Sequence, residues 1–465
     1  MSLFIDEKEI DNFHFVGVLG IGMSAIAQYL AKDCVVGGSD RSLGGNSANI
    51  EDEKILKNQG ISLFLQDGSG ISEKTQAVVV STAIEGDNLD IKKANELKIP
   101  VFHRSQVLSA IVKKCFSISV TGTSGKSSVS AMIFHILDFA GYCPSFIGGA
   151  NLHSLRKKGL LGNAFCGENC PISNEKIKNR EILVFEADES DGSVVQYHPE
   201  ISVLLNVSRD HKEIYEVVSL LKTASSQSKL TIYNKDDKNF DGISGKSFGL
   251  SRSADYFPIR YSFAENSSTF TTENVSFILN FTGEHTVKNA LAALAVCTEL
   301  GVGGKIIAAA LASYGGIARR FDKYFASKNI LLIDDYAHNP EKISAALSAA
   351  QMRKSAVWLI FQPHGFGPLK FMFDDLKNMF LHSLRPIDKL CLLPVFYAGG
   401  TADMSVNSET FVNGLCNGDR FFYVESREKL SSFLKKSVKD NETVLICGAR
   451  DNSLSIFAQD LAKIL

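Results

Sequence analysis

The chain predicts an α/β protein of three consecutive domains. Three observations carry this: β-rich runs alternate with helical stretches along all 465 residues, glycine-punctuated strand-to-helix turns occur at Gly20–Ala25 and Gly122–Ser127, and polar or acidic residues follow the buried strands. The expected division is a Rossmann-like domain over 1–112, a central P-loop-type domain with a mostly parallel sheet over 113–324, and a second Rossmann-like domain over 325–465. With 45% hydrophobic and 22% charged residues the chain can bury cores of that size.

The first domain opens with an expected strand at 13–18, a helix at 22–32, and strands at 34–38 and 77–81. Gly20-Ile21-Gly22-Met23-Ser24-Ala25 fits G-x-G-x-x-A between the first strand and helix, and Asp40 ends the next strand. The pattern suits a nucleotide, although a tight turn with no ligand fits it too.

The second domain opens with an expected strand at 115–120, followed by Thr121-Gly122-Thr123-Ser124-Gly125-Lys126-Ser127-Ser128. Gly122 and Gly125 let the backbone approach phosphate oxygens, a helix from about Lys126 aims its free N–H groups at them, Lys126 supplies charge and Ser127 a hydroxyl for Mg²⁺. Val120 stands where the full P-loop pattern has glycine, so the loop is a shortened one. Past a polar stretch at 151–180, the strand 182–185 ends in Glu186-Ala187-Asp188-Glu189-Ser190-Asp191, and the strand 201–205 ends in Asn206-Val207-Ser208-Arg209-Asp210-His211. Three strand ends therefore carry a phosphate loop, a carboxylate cluster and an Asp-His pair, a donor set suited to Mg²⁺ beside phosphate. Solvated or helix-capping acids are the plainer alternative.

About 40 residues rich in Ser, Thr and Asn precede Gly283-Glu284-His285-Thr286-Val287-Lys288-Asn289, which opens an alanine-rich helix to 300. The double arginine Arg319-Arg320 is either a surface patch or a clamp on transferring phosphate. The third domain alternates a strand at 329–333, Asp334-Asp335-Tyr336-Ala337-His338-Asn339-Pro340, a helix at 341–352, a strand at 356–361 and the turn Gln362-Pro363-His364-Gly365, and closes with a strand at 443–447 and a helix at 453–465.

Composition excludes other classes. A net charge of -2 offers no basic footprint for nucleic acid or an anionic membrane, and no apolar run is long enough to span a bilayer. Met1–Glu7 lacks the basic start and apolar core of a signal peptide, so the cytoplasm is expected. Nine scattered cysteines, with only Cys166 and Cys170 close together, read as small buried hydrophobes, with neither a disulfide framework nor a zinc site.

Taken together, these motifs resemble the Mur ligase family, ATP-dependent enzymes that add amino acids to a UDP-linked cell-wall precursor. The likeness runs nearly end to end. Thr121–Ser127 and Asp335–Pro340 look like the two superfamily signatures, while Gly20–Ser24, Gly38-Ser39-Asp40, Glu186–Asp191 and Phe361–His364 are most similar to the members that join L-alanine to UDP-N-acetylmuramate. The resemblance implies an acyl-phosphate route in peptidoglycan precursor synthesis, and through it a part in cell shape and division. It implies ATP and Mg²⁺ as cofactors, small-molecule substrates, no nucleic acid or membrane partner, and a monomer or homodimer.

It further implies Lys126 at the β/γ-phosphates within Gly122–Ser128, with Ser127, Glu186 and His211 as Mg²⁺ ligands and Arg320 near the phosphates. His285 and Asn289 would lie by the adenine and Asp335 by its ribose; Gly20, Gly22, Met23, Ser24 and Asp40 would face the UDP moiety, and Asp188, Ser190, His338 and His364 the remaining substrate. Two departures stand out. Thr286 replaces a common asparagine, and Gly365-Phe366-Gly367-Pro368 follow His364 where the alanine-adding members carry Arg-Tyr-Thr-Arg, which should weaken or redirect recognition of the amino acid's carboxylate. Alternatives are a divergent family member adding another amino acid or a recycled peptide, folylpolyglutamate synthase, a nicotinamide-dependent dehydrogenase, and a non-catalytic nucleotide-binding paralogue.

Overall fold

The computed structural model describes residues 2–45, 47–208, 213–397, 403–415 and 419–465. His211, with Arg209 and Asp210, lies outside the described residues. Contacts divide the chain into two compact units: Met1–Ser262 with Thr269–Asn280 and Thr286–Ile317, and Ala318–Leu465 with Phe263–Ser268 and Phe281–His285.

The first unit holds two large sheets. Its N-terminal sheet is five-stranded and parallel, in the spatial order Ser62–Phe64, Val35–Ser39, Asn12–Val16, Ala77–Val80, Val101–His103. The first strand in sequence is thus central, and the glycine turn leaves its C-terminal end at the switch point where doubly wound sheets open a crevice. Fully buried Phe13 and Phe15 on that strand anchor the core. Ahead of it the chain makes a hairpin of Leu3–Ile5 and Lys8–Ile10, which turns through positive φ at Asp6 and Glu7.

The central sheet has seven strands, in the order Ala164–Phe165, Ser145–Ile147, Ile182–Glu186, Phe116–Thr121, Ile201–Leu204, Leu230–Asn234, Lys246–Phe248. All pairs are parallel except that of the edge strand Ala164–Phe165. Phe116–Thr121 is buried at every position, as a strand covered on both faces must be, and its two neighbours are the strands expected to end in functional groups. The polar stretch 151–180 is more than a connection. It supplies the edge strand and places Asn163 just before it at 1% exposure. The Ser/Thr/Asn-rich stretch folds as a three-stranded sheet of Arg260–Phe263, Ser268–Thr271 and Ser276–Leu279.

In the second unit a six-stranded sheet runs Asp322–Phe325, Leu331–Asp335, Thr443–Cys447, Val357–Phe361, Lys389–Leu392, Phe421–Tyr423, with only the first pair antiparallel. The strand expected at 329–333 begins two residues later, because Lys328 and Asn329 adopt positive φ, and it carries on through Asp334 and Asp335. The eight described cysteines are free, five of them buried. No helix among the described residues is long and apolar enough to cross a membrane.

Candidate functional site

Sheet register brings the expected groups of the central domain together. Glu186 pairs with Val120 and Leu204 with Thr121, so the phosphate loop rises between the ends of its two neighbouring strands. Gly122 (φ 129°) and Gly125 (φ 92°) use conformations that side chains rarely adopt, and added Cβ atoms would sit 3.0 Å from the Asn206 backbone and 2.9 Å from Asn289 Oδ1 respectively. Gly125 is the N-cap of the helix Lys126–Phe139 and no side chain caps that end, which leaves its first-turn N–H groups for another acceptor.

Asn206 shapes the loop. Its backbone oxygen accepts from Thr123 N at 3.0 Å, its Oδ1 from Ser124 N at 2.8 Å, and its Nδ2 donates to Ser124 O at 2.8 Å. Thr123 completes the clamp through Ser208, whose N–H donates to Thr123 Oγ1 at 3.1 Å. Lys126 Nζ donates to Gly122 O at 2.9 Å and Glu189 Oε2 at 2.8 Å, with Asp188 Oδ1 at 3.8 Å. Burial alone would lower the pKa of Lys126, but the carboxylates of Glu189, Asp188 and Glu186 outweigh it and hold the amine above its ordinary value.

Ser127 Oγ donates to Glu186 Oε2 at 3.0 Å, and the other oxygen of Glu186 accepts from Gly149 N at 2.6 Å. A hydroxyl and a carboxylate side by side beneath a phosphate loop are hard oxygen donors of the kind that hold Mg²⁺ when phosphate and water complete its shell. Ser128 follows, half-buried in the first helical turn. Farther along the acid loop, Asp188 Oδ1 accepts from Ser190 N at 3.1 Å and Asp191 Oδ2 from Arg104 at 2.9 Å. Burial would raise Asp191, but Ser193 and Arg104 hold it below the usual carboxylate range.

At the N-terminal turn, Asp40 takes an inward role, with Oδ2 accepting from Leu19 N at 2.9 Å and Oδ1 from Ser42 N at 2.9 Å. Gly20 is exposed and Gly22 half-buried, whereas Met23 and Ser24 are buried. Asn163 ties this turn to the central domain, donating to Ile21 O at 2.7 Å and Ser24 Oγ at 2.8 Å and accepting from Gln28 Nε2 at 2.9 Å, while its backbone oxygen accepts from Gly148 N at 2.8 Å. Asn206, Glu189, Gly149, Asn163 and Arg104 were not singled out from the sequence. Their partners lie tens of residues away, and only the quoted strand-end segments pointed toward Asn206 and Glu189.

On the helix Glu284–Glu299, His285 is exposed in the first turn and Asn289 stands against Gly125. In the second unit, the two arginines part. Arg319, at φ 58°, is buried, its Nε facing Asp334 at 3.3 Å and its terminal nitrogens donating to Asp451 O at 3.0 Å and Gly448 O at 2.6 Å. It is thereby committed to the interior, while half-buried Arg320 stacks its guanidinium 5.2 Å from the Tyr336 ring centroid. Asp335 accepts from Phe321 N and Ala337 N, both at 2.8 Å.

Asn339 caps the helix Pro340–Ala350 by accepting from Lys342 N at 2.9 Å, so the Asn-Pro half of that signature is a helix start. His338 and His364 are both buried, edge to face with ring centroids 4.9 Å apart. The segment after His364 forms the short helix Phe366–Phe371, whose one cation, Lys370, pairs with Asp403 at 2.7 Å. No group of three or more His, Cys, Asp or Glu side chains that could hold a metal ion occurs among the described residues.

Three family models match in sequence: "Mur ligase family, catalytic domain" over 12–115, "Mur ligase middle domain" over 120–297, and "Mur ligase, glutamate ligase domain" over 319–450. A UDP-N-acetylmuramate–L-alanine ligase of Hydrogenovibrio crunogenus is 31% identical, with 96% of this chain and 97% of that protein covered. Among solved structures, the fold is similar to that of UDP-N-acetylmuramate-alanine ligase MurC from Thermotoga maritima (TM-score 0.77, 24% identity, 97% of both chains). It is also similar to a murein peptide ligase from Psychrobacter arcticus (TM-score 0.70, 19% identity, 97% of this chain and 98% of that one). With matching models along its length and a relative of this identity over nearly the whole of both chains, the chain belongs to the Mur ligase family.

Proposed function

We propose that this chain is an ADP-forming ligase that uses ATP to join L-alanine to UDP-N-acetylmuramate in peptidoglycan precursor synthesis. The observation that carries the chemistry is the pairing of Lys126 with Glu189 and of Ser127 with Glu186 at adjoining strand ends. The substrates are those named for its relatives. Residues 1–112 would bind the nucleotide sugar, 113–324 ATP, and 325–465 the amino acid, in a cytoplasmic monomer or homodimer.

Lys126 would exchange its carboxylate partners for the β/γ-phosphates, and the open first turn of its helix would add N–H donors. Ser127 and Glu186, with His211, would hold Mg²⁺, which when bound neutralises charge on the transferring phosphoryl group. Arg320 would add a further cation near the phosphates. The muramate carboxylate takes the γ-phosphoryl group to give an acyl phosphate, the alanine amine adds to its carbonyl carbon, and phosphate leaves from the tetrahedral intermediate as the amine gives up its proton. Asn289 and His285 would sit near the adenine, Asp335 at the ribose, and His338 and His364 toward the amino acid.

The second helix-borne departure favours a second reading. With Phe366–Phe371 in place of a doubly basic loop, and Lys370 paired to Asp403, the incoming amine could belong to another amino acid or to a peptide. Phosphate release from MgATP separates the readings, measured with UDP-N-acetylmuramate and, one at a time, L-alanine, glycine, L-serine and L-Ala-D-Glu-meso-diaminopimelate. Release needing both the nucleotide sugar and L-alanine supports the first; release with the tripeptide alone supports the second; none with any of them sinks both.

A further inference from the structure

Arg104 opens the helix Arg104–Lys114 just after a capping box made by His103 and Gln106, so its backbone position is well determined. Its side chain, 26% exposed, reaches two places at once. One terminal nitrogen donates to Asp191 Oδ2 at 2.9 Å. The other lies along the glycine turn, where a Cβ added to Gly22 would sit 2.8 Å from it. Gly22 thus leaves room for the guanidinium to lie against the turn. Asp191 ends the loop whose other carboxylates hold Lys126, through Glu189, and Ser127, through Glu186.

We propose that Arg104 is a positioning residue that shares its planar fork between Asp191 and the diphosphate of the nucleotide sugar, so that occupancy of the glycine turn is felt by the acid loop gripping Lys126. The proposal rests on the reading of that turn as the nucleotide-sugar site. Two acceptors for one guanidinium compete. A diphosphate at the turn draws donors from Asp191 and loosens the loop, which eases the transfer of Lys126 from Glu189 to ATP; by linkage, ATP favours the sugar nucleotide to the same degree. A lysine cannot bridge two acceptors with fixed geometry in this way.

Calorimetric titration of the full chain with UDP-N-acetylmuramate, with and without Mg²⁺ and a non-hydrolysable ATP analogue, tests this. Arg104→Ala should weaken nucleotide-sugar binding roughly 10- to 100-fold, with Arg104→Lys in between, and should abolish its coupling to the ATP analogue. Asp191→Asn should shift the other way, tightening the sugar nucleotide several-fold because the guanidinium is no longer shared. If the ion pair is only a strap between the domains, both variants weaken binding alike, and the proposal fails. Equal affinity in the wild type and Arg104→Ala also overturns it, with the conservative Arg104→Lys variant showing that the fold survives. An absence of binding by the wild type overturns the nucleotide-sugar reading and the proposal with it.

Discussion

The central sheet and the C-terminal sheet both end in acids and a basic residue, yet they use them in opposite ways. At the central sheet Lys126 and Glu189 are 18% and 7% exposed, and among the described residues the lysine hydrogen-bonds only to Glu189 Oε2 and Gly122 O, beside the uncapped start of its own helix. At the C-terminal sheet, Arg319 and Asp334 are 9% and 0% exposed and bonded into the interior, with Ser455 donating to the same carboxylate at 2.8 Å. The resemblance gives a role to Lys126 and to Arg320 and Asp335, the neighbours of Arg319 and Asp334. Burial alone does not separate the two, since Glu189 is no more exposed than Arg319; the fixed bonds do, for Arg319 is held by Asp334, Gly448 and Asp451 at the strand end on which Asp335 sits, which leaves Lys126 the more readily exchanged ion.

The largest expected effect tests the exchangeable side. Lys126→Ala should cut phosphate release by roughly 10³-fold while nucleotide-sugar affinity, read by calorimetry without ATP, changes by no more than several-fold, because Lys126 lies on the central sheet and bears on the glycine turn only indirectly, through the acid loop and Arg104. Arg319→Met tests the locked side. It leaves Asp334 buried and unpaired and should cost about 3–5 kcal/mol in the urea unfolding of the C-terminal unit. An unfolding midpoint near that of the wild type would erase the distinction drawn above.

The first unit also has an interior polar pair, which sharpens the comparison. His14, 1% exposed, faces Asp90 at 4.0 Å, and burial lowers its pKa to about 4 even though Asp90 pulls the other way. The folded pKa lies below the unfolded 6.5. Below pH 6.5 the unfolded chain therefore binds a proton that the folded chain refuses, and stability falls as pH drops toward 4, by up to about 3 kcal/mol. His14→Gln should flatten that part of the stability profile; an unchanged slope would place the titration elsewhere. The smallest effect belongs to Ser127→Ala, which should raise the Mg²⁺ needed for half-maximal rate about tenfold with little loss at saturating metal.

Much of the fold was legible because the cues are local. The strand at 443–447 coincides with its expected range, and the helix from Lys126 starts at the residue where the glycine turn ends. The start of Leu331–Asp335 was not legible, since nothing in Lys328-Asn329 announces two left-handed residues. The short strand Ala164–Phe165 was hidden too, because two residues carry no periodicity and it forms only against Phe146 and Ile147. At the candidate site, glycines, lysine and acids stood out by spacing, whereas Asn206 and Arg104 act on residues 82 and 87 positions away. Nor could Arg319 be told from Arg320 in the sequence, since the positive φ of Arg319 and its burial against Asp334 appear only in the fold.

The amide of Asn163 has a consequence for how such proteins can be recombined. Three of its hydrogen bonds end on the first helix of the preceding domain, at Ile21, Ser24 and Gln28, alongside the bonds that Ser24 and Gln28 make within that helix. Cut away from Asn163, that helix loses three side-chain bonds and turns the buried Ser24 and Gln28 out to solvent. A chimera that imports this domain from a relative must bring the matching residue with it, so the heritable module is larger than the folded one.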